Sequence, residues 1–156
     1  MKYIGRVTGK HPEEDVFREF LIAVMLHIEA IAGRLGVQHV DVAALILLEM
    51  RGPLAVGAIS EELGLPSAST TRLVDRLEKA GYVRRVRGER DRRTVTVELI
   101  EDGMAEYHAT RVTSERHLGK IGADYSPEQV PLMLGMLTGV ARAYRSATRE
   151  LREQPG

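Results

Sequence analysis

The stretch ISEELGLPSASTTRLVDRLEKAGY, residues 59–82, determines the fold prediction for this chain. Ile59 and Leu63 stand at helical spacing, and Gly64 follows them as a turn residue. The apolar residues beyond this turn recur with a helical period and are Leu73, Val74, Leu77 and Ala80. Gly81 ends that second stripe, because a helix commonly stops at a glycine in a left-handed conformation. The pattern therefore predicts two short helices joined by a tight turn.

The second of these helices carries hydroxyl and basic side chains outside its apolar stripe. They are Ser67, Ser69, Thr70, Thr71, Arg72 and Arg76. Ser67 precedes the stripe and is predicted to cap the helix. A helix with these residues fits the major groove of duplex DNA, where arginine can bind guanine through two hydrogen bonds and hydroxyls reach bases or phosphates. We therefore predict that all six contact DNA; the alternative is a solvated helix surface, on which Asp75 and Glu78 pair with the arginines.

The hydrophobic period changes from helical to alternating after residue 82. Val95, Val97 and Leu99 alternate with polar residues, and Tyr82 to Val86 supplies an opposing segment, which predicts a β-hairpin. Its connection, Arg87 to Arg92, is strongly charged and contains a glycine. A hairpin tipped with arginines suits the minor groove, whose negative potential deepens where the groove narrows.

Charge is distributed unevenly along a chain that is neutral overall. Between Arg72 and Arg93, nine basic residues stand against four acidic ones, so this stretch carries a net charge of +5 while the whole chain carries zero. A basic island in a neutral protein is typical of a localised DNA-contacting surface.

Further amphipathic helices flank the central block. They are predicted over Pro12 to Leu35, Val40 to Met50 and Asp102 to Gly122, and from Ser126 onward. Gly36 is predicted to end the first of them. Ser126, Pro127 and Gln129 supply an N-cap, a proline at the first helical position and a capping-box partner for the last. The expected fold class is therefore mainly α with a small β-hairpin wing, and residues 1–156 are expected to form one such chain.

Composition argues against several other classes of protein. The chain of 156 residues has no cysteine, which excludes disulfides, zinc–thiolate sites and thiol redox sensing. The five histidines show no i, i+4 ligand spacing, and no phosphate loop, HExxH pair or GxSxG elbow occurs. We therefore expect no metal, no cofactor and no enzymatic activity. No export signal or run of 18 apolar residues occurs, so we expect no membrane association and a cytoplasmic location.

The central segments resemble the MarR-type winged helix-turn-helix regulators. The resemblance rests on ISEELGL (residues 59–65), STTRLVDRLEKAGY (69–82) and RDRRTVTV (90–97), which are similar to that family's first reader helix, recognition helix and wing. The order of the flanking helices is similar too, except that Ile100 stands where the family usually has a helix-capping threonine. The resemblance implies a DNA-binding part over residues 38–100 and a helical dimerisation part over 12–36 and 101–150.

The same resemblance implies roles for individual residues. Asp91 would orient the wing and Arg93 would enter the minor groove, with Arg90 and Arg92 beside them. His27 and His39 fall on or beside helices that line the effector cavity in similar proteins, which respond to small phenolic or other aromatic compounds. We expect a homodimer that binds double-stranded DNA at a palindromic operator, represses transcription and is released by such an effector. The alternative is a winged helix used only for protein contacts, since a fold does not fix a function.

Overall fold

The computed structural model describes residues 12–87, 95–122 and 124–153 of the chain. The α-helices within these ranges are α1 (Pro12–Leu35), α2 (His39–Arg51), α3 (Val56–Leu63), α4 (Ser67–Lys79), α5 (Ala105–Gly122) and α6 (Val130–Glu153). The strands are β1 (Leu54–Ala55), β2 (Val83–Arg87) and β3 (Val95–Leu99), and one 3-10 helix spans Glu101–Gly103. The predicted class, mainly α with six helices and a small β wing, is confirmed.

The chain divides into two compact units, one ending at Tyr107 and the other beginning at His108. The hydrophobic core lies in the first unit, where α2, α3 and α4 pack with one side of the sheet. Its buried side chains are Leu35, Ala44, Leu45, Leu47, Leu48, Ile59, Leu73, Val74, Leu77, Tyr82, Val83, Val97, Met104 and Tyr107. The helix that the sequence showed as apolar on nearly every side, α2, is accordingly the most thoroughly buried part of the described chain.

The sheet has three antiparallel strands in the order β1-β3-β2. The predicted hairpin is present, with Val83 opposite Leu99 and Arg87 opposite Val95. The additional strand, β1, pairs Leu54 with Val97. The sequence did not predict β1 because an alternating period cannot be recognised in two residues.

The end of α1 agrees with its predicted glycine signal, whereas the start of α6 differs from its predicted position. Gly36 has φ +67° directly after α1, as predicted. Helix α6, in contrast, begins at Val130 rather than at Ser126. The predicted interaction between Ser126 and Gln129 does form, since the Ser126 N–H donates to Gln129 Oε1 at 2.8 Å. This hydrogen bond closes a turn that precedes α6. The predicted capping interaction is therefore present, but the predicted first helical residue is wrong.

A close backbone approach fixes the segment after β3. Gly103, at the end of the 3-10 helix, lies so near Gly81 that a Cβ on Gly103 would stand 2.1 Å from the Gly81 carbonyl oxygen. Only glycine fits at this position without a shift of the backbone.

Both ends of the described chain expose apolar surface. Helix α6, in the second unit, has no buried residue. Its exposed apolar side chains are Val130, Leu132, Leu134, Met136, Leu137, Tyr144 and Leu151. In the first unit, α1 exposes Val16, Phe17, Phe20, Ile22, Val24, Met25 and Leu26. Exposed apolar surface on this scale is typical of chains that associate.

Among the described residues, no single helix is long and apolar enough to cross a bilayer. The segments Glu14–Leu35 and His39–Arg51 reach that length and apolar content only together, with a 90° bend between them.

Candidate nucleic-acid interface

The turn between α3 and α4 is held by hydrogen bonds at both of its ends. Gly64 adopts the left-handed conformation, with φ 59° and ψ 39°, directly after α3. The Leu65 N–H donates to the Ser60 carbonyl oxygen at 3.0 Å, and the Ser60 hydroxyl donates to the Leu65 carbonyl oxygen at 2.6 Å. These reciprocal contacts fix the direction in which α4 leaves α3.

Helix α4 begins at Ser67, and Pro66 rather than Ser67 is its N-cap. The predicted capping role of Ser67 is therefore wrong by one position. The Pro66 carbonyl oxygen accepts hydrogen bonds from the N–H groups of Ser69 and Thr70, at 2.9 and 3.0 Å, so the helical ladder already starts at Pro66. As the first helical residue, Ser67 keeps an exposed side chain.

One side of α4 is buried in the core and the other is open. Leu73, Val74 and Leu77 are buried, and Thr70 is buried beside them with its hydroxyl donating to the Pro66 carbonyl oxygen at 3.2 Å. The exposed polar side chains of the N-terminal half are Ser67, Thr71 and Arg72, and Ser69 is half-buried. Four of the six predicted α4 residues are therefore accessible near the N-terminus of the helix. Thr70, in contrast, is buried in the core.

Arg76 lies between α4 and α2 in a bidentate ion pair. Its Nη2 and Nε donate to the Oδ1 and Oδ2 atoms of Asp41, at 2.6 and 3.1 Å, and Asp41 is completely buried. The hydrogen bond to Asp41 raises the pKa of the Arg76 guanidinium. Arg76 remains 38% exposed, so its predicted DNA contact stays a prediction. Asp41 could not be recognised from the sequence, since an acidic residue in the first turn of a helix is common.

Arg85 on β2 joins the wing to α4. Its guanidinium pairs with Asp75 at 2.7 Å and with Glu78, and its backbone N–H also donates to Glu78 at 3.2 Å. Burial lowers the pKa of Arg85, but the hydrogen bonds to both carboxylates outweigh it and leave the pKa raised. The acids expected to pair with Arg72 or Arg76 are thus bound to a strand instead.

The predicted wing contacts Arg90, Asp91, Arg92 and Arg93 lie outside the described residues. Of the two predicted effector contacts, His39 is exposed, with Nδ1 3.9 Å from the carboxylate of Glu29, and His27 is exposed on α1. Both remain predictions. Among the described residues, no group of three or more histidine, aspartate and glutamate side chains could hold a metal ion.

A cavity of about 510 Å³ opens beside the C-terminal half of α4. Its lining residues are Gly36, Val37, Gln38, Asp41, Arg76, Lys79 and Ala80. The predicted histidines are absent from this lining, and the ion pair between Asp41 and Arg76 forms part of its wall.

Two helices joined by a fixed turn, followed by an antiparallel wing, define a winged helix-turn-helix protein. The chain belongs to the MarR family. A model of that family matches residues 35–94. The HTH-type transcriptional regulator YfiV of Bacillus subtilis is 32% identical over 117 residues, which cover 75% of this chain and 73% of YfiV.

Solved structures agree with this assignment. A MarR family protein from Bacillus stearothermophilus is similar with a TM-score of 0.67 and 26% identity, over 85% of this chain and 92% of that one. Streptococcus pneumoniae FabT, solved in complex with DNA, has the same fold with a TM-score of 0.64 and 20% identity, over 86% of this chain and 99% of that one. The chain is thus a MarR-family transcriptional regulator, and the prediction that it is not an enzyme agrees with the family. The predicted boundaries of a DNA-binding part and a dimerisation part stay predictions.

Proposed function

We propose that this regulator binds a palindromic DNA operator as a homodimer, represses transcription there, and is released by a small aromatic or phenolic effector. The observation that carries the proposal is the accessible N-terminal half of α4, with Ser67, Thr71 and Arg72 exposed while the opposite side of the helix is fixed in the core. A recognition helix needs this combination, because base readout requires hydrogen-bonding side chains that are held at a fixed position in the major groove.

Within this proposal, Arg72 reads a base in the major groove and the hydroxyls of Ser67, Ser69 and Thr71 contact bases or phosphates. The arginines Arg90, Arg92 and Arg93 supply affinity in the minor groove, with Asp91 orienting the wing. Thr70 lies outside the proposed interface because its side chain has no exposed surface. The complex of FabT with DNA supports DNA binding by a chain of this fold.

The homodimer is supported by the large apolar side chains that α1 and α6 expose, such as Met25 and Leu26 on α1 and Leu132 and Met136 on α6. A second copy would bury these side chains, and closed two-fold dimers are the commonest protein assemblies. A two-fold dimer presents two recognition helices, which is why the operator is expected to be palindromic.

Effector release requires a ligand that binds two dimer geometries with different affinities. The cavity beside α4 has a volume within the usual range of roughly 300–1,000 Å³ for small-molecule sites, which supports a ligand of that size. His27 and His39 remain the predicted effector contacts from the family resemblance.

Selection from a random duplex pool tests the DNA-binding proposal. Purified protein should enrich an inverted repeat, and gel-shift titrations should then give a tighter dissociation constant for that duplex than for a scrambled duplex of equal length and composition. Addition of small phenolic or aromatic carboxylates should weaken the specific complex. Enrichment of no sequence would contradict the proposal and favour the alternative, a winged helix for protein contacts.

A promoter carrying the selected duplex tests the direction of regulation. Reporter expression should rise when the regulator is deleted and fall when it is restored. A fall on deletion would mean that the protein activates transcription.

A further inference from the structure

We propose that Asp41, a buried residue of α2, is a positioning residue for DNA recognition: it holds Arg76 and thereby sets the orientation of the α4 surface that reads the operator. This inference rests on the proposed DNA-binding function. It assigns a specificity role to a residue outside the expected interface.

Three hydrogen-bond donors converge on the carboxylate of Asp41. Asp41 Oδ1 accepts from Arg76 Nη2 at 2.6 Å, and Oδ2 accepts from Arg76 Nε at 3.1 Å and from the Gln38 backbone N–H at 3.0 Å. The Gln38 contact anchors Asp41 to the first turn of α2, where the helix dipole also favours a negative charge. Both carboxylate oxygens are therefore used, and the carboxylate cannot rotate without losing a hydrogen bond.

Complete burial makes this ion pair difficult to break. Asp41 is 0% exposed, so a charge left there without its partner would carry an uncompensated desolvation penalty. The guanidinium is planar and donates two parallel hydrogen bonds to the carboxylate, which fixes its plane as well as its position. Asp41 and Arg76 thus connect two helices through one defined arrangement.

The consequence for recognition follows from the spacing of Arg76 and Arg72. They are four residues apart on α4, so their side chains lie on adjacent turns of the same side of the helix. Arg72 is exposed, while Arg76 is held from beneath by Asp41. Fixing Arg76 to α2 restrains rotation of α4 about its own axis, and such a rotation would move Arg72 out of register with a base pair.

Charge and positioning predict opposite results for Asp41→Asn, which makes this substitution informative. The variant has one negative charge fewer, so an electrostatic effect alone would strengthen binding to every duplex. If Asp41 acts by positioning, affinity for the selected duplex falls while affinity for the scrambled duplex holds or rises. Glu98→Gln is the matched control, because it removes the same charge from the pair that Glu98 forms with the exposed Arg84, 2.6 Å away on the sheet.

The experiment is an anisotropy titration of both duplexes with the full chain, at a temperature where circular dichroism shows each variant to be folded. We expect Asp41→Asn to lower the ratio of specific to scrambled affinity by roughly tenfold, a mid-range coupling for contacting residues. Glu98→Gln should leave that ratio within about twofold, as for an exposed ion pair. A wild-type ratio in Asp41→Asn would overturn the inference, whereas equal affinity of the wild-type protein for both duplexes would overturn the proposed function instead.

A second pair of variants tests whether Asp41 acts through Arg76, and it also serves if Asp41→Asn does not fold. Arg76→Lys keeps the charge but replaces the planar fork by a point charge, so the specificity ratio should fall severalfold with little change on the scrambled duplex. In an Arg76→Gln background, Asp41→Asn should have no further effect on the ratio. An unchanged ratio in Arg76→Lys, or a full additional loss in the double variant, would overturn the positioning role.

Discussion

Arg72, Arg76 and Arg85 belong to the same basic island but have different surroundings. Arg76 and Arg85 are bound to carboxylates of the first unit. Arg72 is exposed, and its Nε donates to the Ala68 carbonyl oxygen of its own helix at 3.3 Å. A guanidinium in the exposed setting of Arg72 can exchange that weak contact for a guanine at little cost.

Arg72→Ala is therefore expected to weaken operator binding and relax its sequence preference. The loss should be about 1–3 kcal/mol per contact, with preference reduced at one base pair in each half-site. Competition gel shifts against operators substituted at single positions measure it. Arg84→Ala, which removes an exposed arginine paired with Glu98, is the charge-matched control and should preserve the preference at every position. If both variants reduce affinity uniformly across sequences, Arg72 is a phosphate contact rather than a base reader.

Tyr82 links alkaline pH to the stability of the first unit. Its hydroxyl donates to the Leu35 carbonyl oxygen at 3.0 Å. Burial, and secondly the nearby charge of Glu106, raise the pKa of Tyr82 above its ordinary value of 10.0. Its stabilising effect is fully present below about pH 10 and is lost as pH rises through the raised folded-state value, because the unfolded chain releases its proton first.

Tyr82→Phe should consequently flatten the alkaline decline in the free energy of unfolding. At neutral pH the variant should be less stable by about 1 kcal/mol, since the hydrogen bond to Leu35 is lost. Urea titrations at neutral pH and at several values above pH 10 measure the difference, with Tyr125→Phe at an exposed position as the control. Parallel curves for the wild-type protein and Tyr82→Phe would show that Tyr82 does not cause the decline.

At the scale of elements, regular periodicity was sufficient to locate most helices and the hairpin. The stripe of Leu73, Val74 and Leu77 is buried, and the Gly36 and Gly64 signals stand at helix ends. What the sequence did not reveal depends on contacts between distant residues. The pairing of Arg76 with Asp41, 35 positions apart, has no local pattern, and neither does the two-residue strand β1.

The approach of Gly103 to Gly81 is another such contact, and it predicts a large effect from one methyl group. Gly103→Ala would place Cβ 2.1 Å from the Gly81 carbonyl oxygen, so the 3-10 helix must move away from the turn between α4 and β2. We expect a loss of about 1–3 kcal/mol in the free energy of unfolding, as for overpacked sites. Gly33→Ala, in α1 with nothing within 4 Å of the added Cβ, is the control and should not destabilise. Equal stability of both variants, measured by urea unfolding, would contradict the close approach.

At the scale of the whole molecule, the proposed dimer depends on apolar helix surface. Leu137→Glu places a charge on the exposed apolar side of α6 and should shift the protein to monomers without loss of helicity, because a charge in a buried interface has no partner. Ser146→Glu is the matched control, since it lies nine residues further and about half a turn round the same helix. Sedimentation velocity distinguishes the species. A monomeric wild-type protein, or a dimer unaffected by Leu137→Glu, would contradict the interface.

Operator geometry tests the two-fold arrangement directly. Half-sites should lie about 10 base pairs apart, so an insert of five base pairs turns one of them to the far side of the duplex and should sharply reduce specific binding. An insert of ten base pairs restores the rotational alignment of the half-sites, so it should reduce specific affinity less than an insert of five only if the dimer can stretch. Titrations at two salt concentrations separate this effect from phosphate binding, which depends steeply on salt and not on spacing. Equal affinity for all three spacings would mean that protomers read DNA independently.

The pairing of β1 with β3 also has a consequence for synthesis on the ribosome. Leu54 and Val97 close a chain loop that contains α3, α4 and β2, so the sheet cannot be completed until β3 has left the exit tunnel. A nascent chain halted before Val95 would contain both reader helices without the central strand that joins the outer two. Stalled intermediates of that length should bind chaperones and be sensitive to protease. Once β3 emerges, both reader helices should become resistant to protease at the same time. The recognition helix therefore becomes functional late in translation, although most of its buried partners are made early.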